Sequence, residues 1–173
     1  NTLALVLDQT ELMCGLYEAP DLIEWALDRV TDVLIDRVSR LRETVGKERV
    51  IGNIWPYVVL PDGKGVAITQ DYMPLLGPEM YERFELPRVK RIADAFGGVW
   101  IHCCGEYERH FDALARADFT ILGLEIHHPY TSLEKAWTVF GDRVVYLPYV
   151  AQRELSHFDG LEAYVESLAG KPC

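Results

Sequence analysis

Basic residues are scarce in this sequence: 17 Lys and Arg stand against 27 Asp and Glu, a formal net charge of −10. So acidic a chain disfavours a nucleic-acid backbone or an anionic membrane as partner, because both are held through Lys and Arg. The densest basic run, Arg88, Lys90 and Arg91, falls inside a predicted helix and forms no patch. Cysteine is also sparse, at positions 14, 103, 104 and 173. Two of the four are adjacent, so no disulfide framework is visible and a reducing, cytoplasmic setting is expected. The chain does not open with a basic stretch and an apolar run, so no signal peptide is read. No apolar stretch approaches the ~20 residues that cross a bilayer. Internal repeats and low-complexity tracts are lacking too.

What remains is ordinary globular composition, 49 % apolar and 25 % charged. Such a chain of 173 residues fits one domain with a real core. The first part, 1–50, reads as a helical lead-in. A helix is expected over 2–17 and ends before Pro20. Asp21 then looks like an N-cap with Glu24 as its capping-box partner. An apolar stripe at helical period follows (Leu22, Trp25, Ala26, Val30, Val33, Leu34, Val38, Leu41) and runs to Gly46.

From 51 to 173 the rhythm is that of βα units. Residues 50–60 are β-rich. Strands are expected at 66–70, 99–104, 119–124 and 143–147, with helices at 78–96, 108–116, 131–140 and 159–168. Gly97-Gly98 and Gly141-Asp142 fall where helices should stop. The strands are short and apolar on both faces, which points to a buried parallel sheet. Strands alternating with helices mean α/β, and four such units make about half of a (β/α)8 (TIM) barrel. Both ends look like cuts through a larger domain, and a half barrel leaves open sheet edges. A missing N-terminal part or a second copy of the chain is expected to complete it.

The stretch that carries chemistry is Gly98-Val99-Trp100-Ile101-His102-Cys103-Cys104-Gly105. Side chains alternate along a strand, so His102 and Cys104 share a face while Cys103 takes the other and packs in the core. In a parallel barrel the C-terminal strand ends form the functional mouth. An imidazole and a thiolate projecting together there are good zinc ligands. An isolated His-x-Cys is also common, and many buried cysteines only fill a core. Three further residues sit at expected strand ends. Asp71 reads as a substrate or metal-orienting group, or equally as a turn residue. Glu125 and His127 are candidates for general acid-base work or metal binding, with a solvated loop as the plainer alternative. His128 fits that loop best. Tyr72, Tyr107 and Tyr130 follow strands and could face a flat ligand.

The segment from Gly65 to Leu155 resembles the uroporphyrinogen decarboxylase and cobalamin-dependent methyltransferase superfamily. The residues that carry the likeness are Asp71-Tyr72-Met73-Pro74-Leu75-Leu76-Gly77-Pro78-Glu79-Met80-Tyr81, Phe84-Glu85-Leu86-Pro87, Ile101-His102-Cys103-Cys104-Gly105 and Phe140-Gly141-Asp142-Arg143-Val144. Gly77 stands where the family usually has Ser. The resemblance implies the C-terminal portion of a TIM-barrel enzyme with one of two chemistries. Methyltransferases of this kind hold zinc through a His-x-Cys pair and a later Cys, and pass a methyl group between a corrinoid and a thiol. Carried over residue by residue, the pair is His102 and Cys104, and the later thiol would be Cys173. The corrinoid would be a substrate, alone or carried on a partner protein. Decarboxylases remove porphyrinogen carboxyl groups without a cofactor, and their substrate arginines would lie outside this chain. Pro148-Tyr149-Val150-Ala151-Gln152 departs from the family's Gly-Asn pattern. That departure leaves a third reading, a non-catalytic truncated member.

Overall fold

The computed structural model describes residues 2–47, 58–60 and 63–168. The expected helix over 2–17 is two helices, α1 (Thr2–Val6) and α2 (Gln9–Glu18). The break falls at Asp8, whose carboxylate accepts from Thr10 N at 2.8 Å and Glu11 N at 3.4 Å. A short acid at an N-cap satisfies amides that a continuing helix would have left to its own carbonyls. α3 spans Pro20–Val45. The expected capping box at Asp21 does not form: Ala19 is the cap and Pro20 takes the first turn. Proline suits that place because its fixed φ is helical and its missing N–H would have had no partner there. Of the expected strand at 50–60, residues 50–57 lie outside the described residues, and 58–60 are not in a strand.

Among the described residues the sheet has four parallel strands in the order β1 (Val66–Thr69), β2 (Val99–His102), β3 (Ile121–Ile126) and β4 (Val145–Pro148). Neighbours in sequence are neighbours in space, and helices fill the connections. This is part of a (β/α)8 barrel. After β1 the chain enters a helical rod: α4 (Pro78–Met80), a wider π turn (Tyr81–Glu85), then α5 (Leu86–Phe96). Gly97 stops α5 in the left-handed region, at φ 80°, and its N–H returns to Ala93 O. α6 (Phe111–Arg116) follows β2. α7 (Leu133–Phe140) follows β3 and starts two residues later than expected, because Ser132 caps it through Lys135 N.

The core lies between the sheet and these helices. Ile101, Cys103, Leu124, Ile126 and Tyr146 face Val89, Ala93, Phe111, Leu114, Ala136 and Phe140 within one buried cluster. β2 and β3 are buried almost throughout, as their apolar sequences predict, whereas β1 and β4 are partly exposed. They are the sheet's outer strands, and Val145 is left 59 % exposed. The basic run is used inside the molecule. Buried Arg88 donates to Asp28 at 2.9 Å and to the carbonyls of Arg83 and Glu24, while Arg91 pairs with Asp28 and Asp32. These contacts hold α5 against α3 with each guanidinium nitrogen of Arg88 bonded, as a buried cation requires. Among the described residues no helix is long and apolar enough to cross a membrane.

Candidate metal centre

Register decides which side chains meet. Thr69 lies opposite His102, Trp100 opposite Gly123, and Glu125 opposite Leu147. Alternation from these pairs puts Asp71, His102, Cys104, Glu125, His127 and Tyr149 on one face, at the C-terminal ends of four adjacent strands. Lower on that face the Trp100 ring lies over Gly123, where an added Cβ would come within 2.1 Å of it. Glycine is therefore what leaves room for the indole on that face.

The expected pair is brought together: His102 Nε2 lies 3.1 Å from Cys104 Sγ. The third member is His127, read from sequence as an acid-base candidate. One ligand atom from each of His102, Cys104 and His127 lies within 4.8 Å of the others. Glu125 is fully buried and sits between the two imidazoles, its Oε1 2.8 Å from His127 Nε2 and 2.8 Å from His102 Nδ1. The second contact is an ion contact off the line of a straight hydrogen bond. Asp71 accepts from Cys104 N at 3.0 Å and lies 3.5 Å from His102 Nε2. Cys173 lies outside the described residues.

Electrostatics follow from this crowding. Burial works to raise the Glu125 pKa, but contact with His102 and His127 outweighs it and the pKa ends below the ordinary value. Burial works to lower that of His102, and Glu125 and Asp71 more than offset it, so it ends raised. The Cys104 thiol is pushed up to about 11, first by burial and then by Asp71. Without a cation this sulfur is a poor nucleophile and a poor ligand at neutral pH, because both roles need the thiolate.

Two residues that the sequence did not single out complete the cluster. Glu154, on the short helix α8 (Gln152–Leu155), is 1 % exposed and lies 3.0 Å from His127 Nδ1. Arg153 donates to Glu154 Oε1 and to the Cys104 carbonyl, and its guanidinium lies over the Tyr130 ring at 4.6 Å. An Arg-Glu pair on a short polar segment looks in sequence like a solvated surface pair, so no signal marked it. Tyr149 stacks on His127, with centroids 4.4 Å apart. Tyr107 faces no ligand: it is buried, and its hydroxyl donates to the Glu125 carbonyl at 2.9 Å. His128 lies partly buried against Phe158 and Tyr164 rather than in a solvated loop. Cys103 is buried and Cys14 is exposed.

The residues present fit a zinc ion. With Zn–N at ~2.0 Å and Zn–S at ~2.3 Å, tetrahedral ligands stand about 3.4 Å apart; the His102–Cys104 pair is at 3.1 Å, and the three donors lie within 4.8 Å of one another. One oxygen each of Glu125 and Glu154 is buried with no hydrogen-bond partner among the described residues. Buried carboxylates left so incompletely paired favour a cation beside them.

No protein-family model matches the sequence, and no curated protein matches it. Among solved structures the fold is similar to that of a methyltransferase from Methanosarcina mazei, with a TM-score of 0.69 and 19 % identity. The match covers 95 % of this chain and 44 % of that one, so this chain spans less than half the length of that protein. At that identity the likeness is one of fold.

Proposed function

We propose that this chain is the catalytic half of a zinc-dependent methyltransferase that passes a methyl group between a corrinoid and a thiol. The observation that carries the reading is the gathering of His102, Cys104 and His127 at one strand-end mouth. The fold likeness to a methyltransferase supports it. His102 Nε2, Cys104 Sγ and one His127 nitrogen would hold the zinc, which leaves a fourth position for a substrate sulfur. Zinc held there would supply acidity, lowering the pKa of a bound thiol so that it is a thiolate near neutral pH. The thiolate would take the methyl group from the corrinoid, which would keep the electron pair of the broken cobalt–carbon bond.

This chain's own residues supply orientation and charge. Glu125 braces the His102 ring from the nitrogen turned away from Cys104. Asp71 pins the Cys104 backbone. Trp100, itself buried, lies next along the same face. Glu125, fully buried and held between two imidazoles, suits this bracing better than proton exchange with a substrate. The outer strands β1 and β4 leave room for a complementary half barrel, from a second copy or another polypeptide segment, to complete the mouth and bear on the corrinoid.

The test is metal content by inductively coupled plasma mass spectrometry on untagged protein, with Cys104→Ala, His127→Ala and Cys173→Ala beside it. About one zinc per chain is expected, lost in the first two variants and kept in the third. Methylcobalamin with a small thiol should then give a methyl thioether with the wild-type chain and none with Cys104→Ala. Absence of zinc from the wild type after incubation with the metal would overturn the reading. Loss only in Cys173→Ala would move the third ligand to that thiol.

A further inference from the structure

Beside the donors stands a group that touches none of the reacting atoms. Glu154 arrives from α8, 27 residues beyond the imidazole it meets. Its Oε1 lies 3.0 Å from His127 Nδ1, and it receives Arg153 Nε at 2.9 Å and Arg153 Nη2 at 2.6 Å. Arg153 Nη2 is also 3.0 Å from His127 Nδ1, so two groups compete for that nitrogen. The competition has a definite outcome. A guanidinium Nη2 carries two hydrogens. Its two shorter contacts, 2.6 Å to Glu154 Oε1 and 2.8 Å to the Cys104 carbonyl, use both. No hydrogen is left for His127, so Nδ1 is itself the donor, to Glu154.

We infer that Glu154 is a positioning residue that fixes His127 with its proton on Nδ1 and turns Nε2 toward Glu125 and His102. Nε2 stands 2.8 Å from Glu125 Oε1. On the metal reading proposed above, that nitrogen is the one His127 turns to the zinc. The ring has little freedom to choose otherwise. Tyr149 stacks on its face, and the His127 backbone carbonyl accepts from Thr131 N at 3.1 Å. Arg153 neutralises Glu154 and ties it to the end of β2, so α8 joins the strand ends that carry Cys104 and His127. A carboxylate on the second nitrogen of a ligating imidazole fixes its tautomer and raises its basicity, and loss of such a partner typically weakens metal binding by 10–100-fold.

The experiment has two arms on the full chain: wild type, Glu154→Gln and Glu154→Asp. In the first, zinc affinity is measured by chelator competition, with the visible spectrum of the cobalt(II) form as a second readout. Glu154→Gln is expected to keep one site, bind ~10–100-fold more weakly and shift the cobalt bands. Glu154→Asp, which keeps the charge, should recover part of the affinity. In the second arm, long-range 15N–1H correlation of the metal-free histidine rings should show a proton on His127 Nδ1 in the wild type. That signal should be weakened or moved to Nε2 in Glu154→Gln. Zinc affinity within twofold of wild type in Glu154→Gln, or a wild-type His127 without a proton on Nδ1, would overturn the inference. Should the wild type bind no zinc, the metal reading falls and the nuclear magnetic resonance arm still decides Glu154 alone. Should Glu154→Gln fail to fold, the wild-type and Glu154→Asp spectra decide it.

Discussion

Cys104 and His102 show how one residue type takes its chemistry from its neighbours. The thiol of Cys104 stands against a carboxylate and in partial burial, and both stabilise the protonated form. A pKa of about 11 against an ordinary 8.5 leaves the metal-free thiolate fraction at pH 8 lower by roughly 10². Iodoacetamide should accordingly modify exposed Cys14 well before Cys104 in metal-free protein at pH 8. The Cys104 rate should climb steadily between pH 8 and 11, as read by peptide mass spectrometry. Equal rates at pH 8 would mean that Asp71 and burial do not hold the proton. At this scale the sequence was informative. Parity alone set His102 and Cys104 on one face and Cys103 on the other, because a strand's pleat allows no other arrangement.

The elements explain why those side chains arrive at one height. Each strand ends at the mouth with a polar residue on the inner face: Asp71, His102, Glu125 and, beyond β4, Tyr149. Gly123 on β3 is the structural condition for this, since the Trp100 ring occupies the space a side chain would need. Gly123→Ala is expected to destabilise the chain by about 1–3 kcal/mol, the usual cost of forcing extra volume into a packed site. In thermal denaturation the loss should shrink when Trp100→Ala is added, because the two act through one contact. Full additivity would show that the glycine is needed for some other reason. The element boundaries were less legible. Asp8 broke a helix whose apolar pattern ran straight through, and β3 ran on to Ile126, so Glu125 and His127 stand at the end of a strand and not in a loop.

At the scale of the whole molecule, ionisation of the centre couples to folding. Glu125 has a lowered folded pKa, so its contribution is complete above the unfolded value of about 4.3 and is lost as pH falls through the folded one. His102 has a raised folded pKa, so its contribution is complete below about 6.5 and is lost as pH rises through the folded one. Metal-free protein should therefore show its highest urea midpoint between about pH 4.3 and 6.5. Glu125→Gln should flatten the profile on both sides. A wild-type midpoint that rises steadily to pH 8 would contradict the pairing. Zinc should move the optimum upward, since it takes the place of protons on the same donors.

The sequence by itself determined the α/β class, the parallel sheet and the His102-Cys104 face, because alternation and apolar periodicity are local properties of the chain. It also marked Asp71, Glu125 and His127 as strand-end groups, without saying which would meet. Tertiary structure decided the rest. It set His127 beside the His-Cys pair, placed Glu125 between the two imidazoles, and brought Glu154 and Arg153 back from the far side of β4. Those contacts join residues 2 to 49 positions apart. They depend on sheet register and on where α8 lands, and neither is written in the pattern of any one segment.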